Sequence, residues 1–142
     1  MAKRVEYYIE DIYIGYGTKG ELSPDLSNDT IPTFDGPVSE VGVPPSWGLT
    51  LDRLKYAGTV AEFMAIETII YSTISTPKNI KIVDRVKLES GETAKVTEIL
   101  YGANLTDKKA NFDAEARTAE NLAFKGTKVR KWVNGKEIKI PV

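Results

Sequence analysis

The run EILYGANLTDKKANFDAEARTAENLAFKGTKV (residues 98–129) admits two secondary structures, and the choice between them settles the class of the chain. Phe112, Ala114, Ala116, Thr118, Glu120, Leu122 and Phe124 share one parity; Asp113, Glu115, Arg117, Ala119, Asn121, Ala123 and Lys125 share the other. A strand would therefore have one packing face and one wet face, because successive side chains point to opposite sides. A helix fits the same letters, since Phe112, Ala116, Ala119 and Ala123 fall near 3.6-residue spacing and Asp113 can pair with Arg117. The wet face carries no recognisable chemistry under either reading, and periodicity leaves the choice open.

Upstream, Ile80, Ile82, Val86 and Leu88 alternate with Lys81, Arg85, Lys87 and Glu89 up to Ser90-Gly91, and residues 93–101 return as a hairpin. Downstream, Val129 and Val133 flank Trp132, Asn134-Gly135 supplies a type I′ turn, and Lys136–Ile140 comes back. Residues 4–16 read as one strand whose inward parity switches near Glu10-Asp11, as a bulge would cause. Trp47, Leu49 and Leu51, then Leu54 and Tyr56, predict a second strand that also switches.

Between these strands, residues 17–46 hold Gly17, Gly20, Pro24, Asn28, Pro32, Gly36, Pro37, Gly42, Pro44 and Pro45, which predicts a long loop or irregular hairpin. Ile31, Phe34, Val38, Val41 and Val43 are too apolar for a free linker, so the segment is expected to be ordered by a neighbouring subunit. Thr59 and Glu62 stand at capping-box spacing, and Val60, Phe63, Met64, Ile70, Tyr71 and Ile74 continue a helical period until Pro77 forbids it. One helix over about residues 59–75 follows. Its aromatic and methionine positions read as core packing rather than a cofactor pocket. The fold class is mainly β, α+β in kind.

At 142 residues, 42% hydrophobic and 27% charged, the chain predicts a single globular domain spanning residues 1–142. No apolar run approaches the roughly 20 residues of a membrane span, so no membrane partner is expected. The first residues lack the apolar stretch of a signal peptide, which predicts a cytoplasmic location when made. The chain contains neither cysteine nor histidine. That removes disulfides, thiol nucleophiles, the commonest general base and the commonest transition-metal ligand. No catalytic, cofactor-binding or metal-binding residue is assigned, and an enzyme is not expected.

The remaining motifs are weak. Gly15-Tyr16-Gly17 with Gly20 lacks the helix and the lysine of a phosphate loop. Asp25, Asp29 and Asp35 miss the calcium-loop spacing. Asn28-Asp29-Thr30 and Asn104-Leu105-Thr106 match a glycosylation pattern that carries no meaning without a signal peptide. Lys128, Arg130, Lys131, Lys136 and Lys139 surround Trp132, a patch that suits either single-stranded nucleic acid or an acidic partner.

Charge is unevenly spread. Residues 1–46 carry three basic and eight acidic side chains, net −5; residues 47–77 carry two and three, net −1; residues 78–142 carry fourteen and nine, net +5. Opposite charge at the two ends suits head-to-tail association, with Lys128, Arg130, Lys131 and Lys136 as a docking face for the acidic 17–46 segment of another copy. The opposing reading is that the two excesses fold against each other within one subunit.

Leu100-Tyr101-Gly102-Ala103-Asn104-Leu105-Thr106, then Asn111-Phe112-Asp113-Ala114, then Glu120-Asn121-Leu122-Ala123-Phe124-Lys125-Gly126 resemble the closing half of bacteriophage tail tube proteins. That family is similar also to pyocin tubes and to the haemolysin-coregulated protein. The resemblance covers roughly residues 79–130. It implies a β-sandwich or barrel-like fold with one flanking helix and a long loop, six subunits closing into a ring, and rings stacking into a tube that conducts DNA. It further implies sheath, tape measure, baseplate and tail terminator partners, a contractile tail, and a place in the virion tail after assembly in the host cytoplasm. Lumen-facing residues would be Asp113, Glu115, Arg117 and Asn121. Lumens of this family are often acidic, whereas Asp113, Glu115, Arg117 and Lys125 sum to zero. The alternatives are a small β-domain that binds single-stranded nucleic acid, or another ring-forming tail part such as a tail completion protein.

Overall fold

The computed structural model describes residues 5–17, 20–24, 30–33, 36–39, 46–54, 59–110 and 119–140. Among the described residues eleven strands and one helix follow in chain order: β1 Val5–Ile9, β2 Ile12–Gly17, β3 Gly20–Pro24, β4 Thr30–Thr33, β5 Gly36–Ser39, β6 Trp47–Leu54, α1 Val60–Ser72, β7 Lys78–Lys87, β8 Thr93–Ala110, β9 Ala119–Gly126, β10 Lys128–Val133 and β11 Lys136–Ile138. All of the pairings are antiparallel, and they return on themselves: β6 to β9, β8, β7, β1, β2 and back to β6 through Tyr16 opposite Leu54. This circuit is a six-stranded barrel. β3 extends it beside β6, while β10 and β11 extend it beside β8. Closure removes most of the open edges that would otherwise invite aggregation.

Residues 98–129 take the strand alternative throughout their described part. Glu120, Leu122 and Phe124 are buried and Asn121 and Lys125 exposed, the alternation expected of a sheet with one wet face. The 18-residue β8 makes this possible by changing partners along its length. Its first half pairs with β10 at Tyr101–Lys128 and below; its second half pairs with β9 from Asn104–Lys125 upward. The switch is made at Gly102, whose φ of 63° favours glycine, and at Thr127, whose N–H donates to the Tyr101 carbonyl at 3.0 Å. Opposite them lies Gly126, where a Cβ would sit 2.5 Å from Leu100 Cδ1 and 2.8 Å from the Tyr101 carbonyl oxygen. The Tyr101-Gly102-Ala103 and Phe124-Lys125-Gly126 motifs thus mark one crossing point.

The described part of the stretch read as one bulged strand over 4–16 forms two strands instead. Glu10, at φ 55°, and Asp11 make the turn, so the parity change is a reversal of the chain. A bulge does occur, but between Tyr7 and Tyr8 opposite Gly15 and Tyr13. The 17–46 segment is more regular than a loop: β3 joins the barrel and β4–β5 form a separate hairpin with Ile31 opposite Val38. In the second strand the expected switch falls on Leu54 and Tyr56, outside the residues whose side chains are described. Leu49, Leu51 and Arg53 are all buried, so a charged residue continues the inward row.

α1 starts as its capping box requires, with the Thr59 hydroxyl accepting from the Glu62 N–H at 3.1 Å. It ends at Ser72, short of residue 75, where Thr73 caps it. The core reading of its apolar positions is overturned for most of them. Ile66 and Ile70 alone are buried on α1, a contribution of roughly 1.5–3 kcal/mol each. Val60, Phe63, Met64, Tyr71 and Ile74 are exposed.

Candidate functional site

Because β6 and β9 pair in register over their whole length, Leu49–Phe124, Leu51–Leu122 and Arg53–Glu120 all point inward. The intervening pairs must then form a continuous outer surface. It runs from Glu21 and Ser23 on β3, through Gly48, Thr50 and Asp52 on β6, to Asn121, Ala123 and Lys125 on β9 and Asp107 and Lys109 on β8. An open depression of ≈ 880 Å³ lies on it, lined in part by Glu21, Thr50, Asp52, Asp107, Lys109 and Asn121. Three acids and two cations give this face a net charge of −1. Its charge is mixed, and its residues named here include no aromatic ring.

A second outer surface has the opposite character. Across β1, β7, β8 and β10 the register lines up Tyr8, Lys81, Ile99 and Arg130 in one row, and Glu6, Val83, Thr97 and Trp132 in the next. Tyr8 packs on Tyr13 with ring centroids 5.3 Å apart, and its hydroxyl donates to Glu6 at 3.0 Å. Cations cover the rings: Lys81 over Tyr8 at 4.6 Å, Lys128 over Tyr101 at 5.7 Å and Arg130 over Trp132 at 4.9 Å. Arg130 donates twice to the Glu137 carboxylate, at 2.8 Å each, which holds that carboxyl below its ordinary range.

Between barrel and helix sits a four-charge cluster that the sequence reading did not single out. Arg53 donates to Glu120 at 3.1 Å, and to the Ile14 carbonyl through Nε; Glu67 of α1 lies 3.5 Å away. Lys108 Nζ stands 3.0 Å from Glu120, 3.8 Å from Glu67 and 3.2 Å from the Tyr71 hydroxyl. Burial pulls the Lys108 ammonium down. Its hydrogen bonds to Tyr71 and Glu120, with the charges of Glu120 and Glu67, outweigh that and hold it above its ordinary value. The cluster is neutral and structural in geometry, because its charges are spent on one another. Its signal in the sequence is parity: Arg53 follows Leu49 and Leu51, and Glu120 precedes Leu122 and Phe124.

Of the residues expected to line a lumen, Asn121 stands on the plain face, while Asp113, Glu115 and Arg117 lie outside the described residues. Ile31 and Val38 face each other across the β4–β5 hairpin, and Phe34, Val41 and Val43 lie outside. The four basic docking residues are divided by strand alternation. Lys128 and Arg130 project with Trp132 from one side of the β10–β11 hairpin, Lys131 and Lys136 from the other. Among the described residues no three Asp or Glu side chains gather in a way that could hold a metal ion.

No protein-family model matches the sequence, and no curated protein sequence matches it. Solved structures do match. A chain of the sheath-tube complex of an extracellular contractile injection system, PVC, in its extended state aligns at TM-score 0.54 and 20% identity, over 93% of this chain and 90% of that one. The Hcp protein aligns at 0.56 and 10% identity, over 91% and 92%. The SPP1 tail tube aligns at 0.50 and 14% identity, over 96% and 79%. Likeness across so much of each chain gives this protein the fold of the tail tube and Hcp proteins.

Proposed function

We propose that this chain is a structural subunit whose copies close into hexameric rings, and that the rings stack into the tube of a phage tail or a related contractile particle. The observation that carries the reading is the plain outer face of β3, β6, β9 and β8, set on a barrel with the tail-tube fold. A tube wall must let a polyanion or other cargo pass without holding it. A surface of mixed charge, weakly acidic in sum and without an aromatic platform, does that.

On this reading the plain face lines the lumen, with Asn121 and the neighbouring Asp113, Glu115 and Arg117. The apolar 17–46 segment reaches a neighbouring copy through Ile31, Phe34, Val38, Val41 and Val43, and its acids meet cations of the β10–β11 hairpin. The partners are further copies, a sheath, a tape measure, and baseplate and terminator proteins; DNA passes transiently; the tail is contractile. The protein sits in the tail of the particle after assembly in the host cytoplasm. The role is assembly rather than catalysis.

Negative-stain electron microscopy of the concentrated protein, alone and with a tail initiator, tests this. Rings or tubes of uniform diameter are expected, and a monomer under every condition would overturn the proposal. A second reading is favoured by the cation-covered rings of Tyr8, Tyr101 and Trp132, which suit stacking with single-stranded nucleic acid. Salt-dependent oligonucleotide binding that is lost on replacing Lys128, Arg130 and Lys131 would select it.

A further inference from the structure

The two ends of α1 are held very differently. Just past its last turn Thr73 is fully buried, and the Thr73 carbonyl accepts from the Leu105 N–H at 3.1 Å and from Asn104 Nδ2 at 3.0 Å. At the other end every residue from 59 to 65 is exposed, Val60 at 77% and Met64 at 63%. Burial begins only at Ile66, which with Ile70 and the half-buried Ile69 seats the second half of the helix on the barrel. The helix is anchored at one end and projects at the other.

The polar contacts of its middle are loose. Glu67 stands 3.5 Å from Arg53 Nη1 and 3.8 Å from Lys108 Nζ, both long beside the about 2.7–2.9 Å of a charge-assisted hydrogen bond, and its side chain is partly in water. Beneath it Arg53 is fully buried, yet Arg53 Nη2 has no acceptor in the protein. Because Glu67 reaches this guanidinium from α1, the docked helix is part of what keeps water from that nitrogen, and a buried donor without a partner opposes docking. Nor is the helix self-sufficient. Val60, Ile66, Thr68, Ile69 and Ile70 are β-branched, in a helix of 13 residues, and a helix of that length is marginal away from a packing surface.

We infer that α1 is a hinged cover, which leaves the barrel as a unit, pivots at Thr73 and unwinds while the barrel strands stay paired. The barrel does not need α1 for closure, since the circuit of β6, β9, β8, β7, β1 and β2 is complete without it. Opening hydrates Arg53 Nη2 and uncovers the Arg53–Glu120–Lys108 cluster, which offsets part of what is lost when Ile66 and Ile70 leave the barrel. Local opening of this kind draws on segments with few buried apolar contacts. The inference goes beyond the tube reading and stands without it.

Hydrogen exchange of the full-length protein, followed by mass spectrometry at urea concentrations below the unfolding transition, tests this. Amides of residues 67–71 should exchange at least about tenfold faster than those of residues 98–101 and 121–124, and with less dependence on urea, because a local opening exposes less surface than unfolding. Raising salt to about 1 M should quicken exchange in α1 and leave the strands unchanged, since partly wet ion contacts are screened. Glu67→Gln, which keeps the shape and removes the charge, should quicken α1 at low salt and remove most of that salt response. Residues 67–71 exchanging at the rate and urea dependence of the strands, with fast exchange confined to the exposed first half, would overturn the inference. An effect of Glu67→Gln equal in helix and strands would overturn it too, by making Glu67 a support of the whole fold.

Discussion

Two halves of the same barrel wall solve opposite problems. Where β6 meets β9, the outer surface is reduced to Thr50, Asp52, Asn121 and Ala123, while the inner surface below it carries the Arg53–Glu120 ion pair. Where β7 meets β8 and β10, the inner surface is Ile80, Leu100 and Val129, while the outer one is dressed with Tyr8, Tyr101, Trp132 and their cations. Charge is buried on the first half as well as exposed, whereas the second keeps its charges outside. A bare outer face is therefore not a loosely specified one. The strands that look least distinctive from solvent hold the most exacting polar arrangement in the interior, since Arg53 and Glu120 are fully buried and depend on each other, with Glu67 and Lys108 at the edge, for their counter-charges.

The comparison can be broken first from within. Arg53→Met removes one of the two cations bound to the buried Glu120, leaving Lys108, and is expected to cost about 3–5 kcal/mol, read as a lower urea midpoint. Arg53→Met with Glu120→Leu should recover most of that loss, because removing both charges removes the desolvation burden as well. A single substitution costing under about 1 kcal/mol would show that the pair is dispensable. Phe124→Ala, four residues from Glu120 on the same inward row, should also cost about 3–5 kcal/mol, through a cavity rather than a stranded charge. Next in size is Gly126→Ala, at about 1–3 kcal/mol, since the added methyl meets Leu100 and the Tyr101 carbonyl at the crossing of β8.

How much of this was legible follows from what alternation can express. The shared parity of Leu122 and Phe124, the Thr59 cap and the Asn134-Gly135 turn were readable, because each is a local pattern with a local cause. Arg53 and Glu120 were not read as buried, although each lies in step with buried neighbours. A charge on a packing parity looks like an interruption until its partner, far along the chain, is known. The apolar positions of α1 failed differently: 3.6-residue spacing shows that apolar residues share a side of the helix, and only packing tells that Ile66 and Ile70 are covered while Val60, Phe63, Met64 and Tyr71 are not. The tight Glu10-Asp11 turn was hidden because a reversal and a bulge shift parity alike.

pH gives a smaller handle on the same contrast. The Lys108 ammonium is held above its ordinary value, so the folded state binds this proton more tightly than the unfolded state. Its contribution is therefore complete below the ordinary lysine value near 10.5 and fades as pH climbs through the raised one. Thermal melts should fall more steeply above that point for the natural chain than for Lys108→Met, which has no proton to lose. Equal alkaline slopes would mean that Lys108 does not couple the helix to the barrel.

The smallest effects discriminate the outer faces themselves. Lys81→Ala removes a cation lying over the Tyr8 ring and should cost about 0.5–1 kcal/mol, the range of an exposed cation–ring contact. Asn121→Ser, on the plain face, touches no such partner and should stay within about 0.5 kcal/mol. If both changes proved equally silent, the aromatic face would be an accident of composition, its rings and cations side by side without energetic coupling. If instead Asn121→Ser cost as much as Lys81→Ala, the plain face would hold a bonded network, and a surface that holds its own side chains in a fixed network is poorly suited to letting cargo slide past. A measurable loss on one side and silence on the other is the result that fits a wall with one adhesive surface and one passive one.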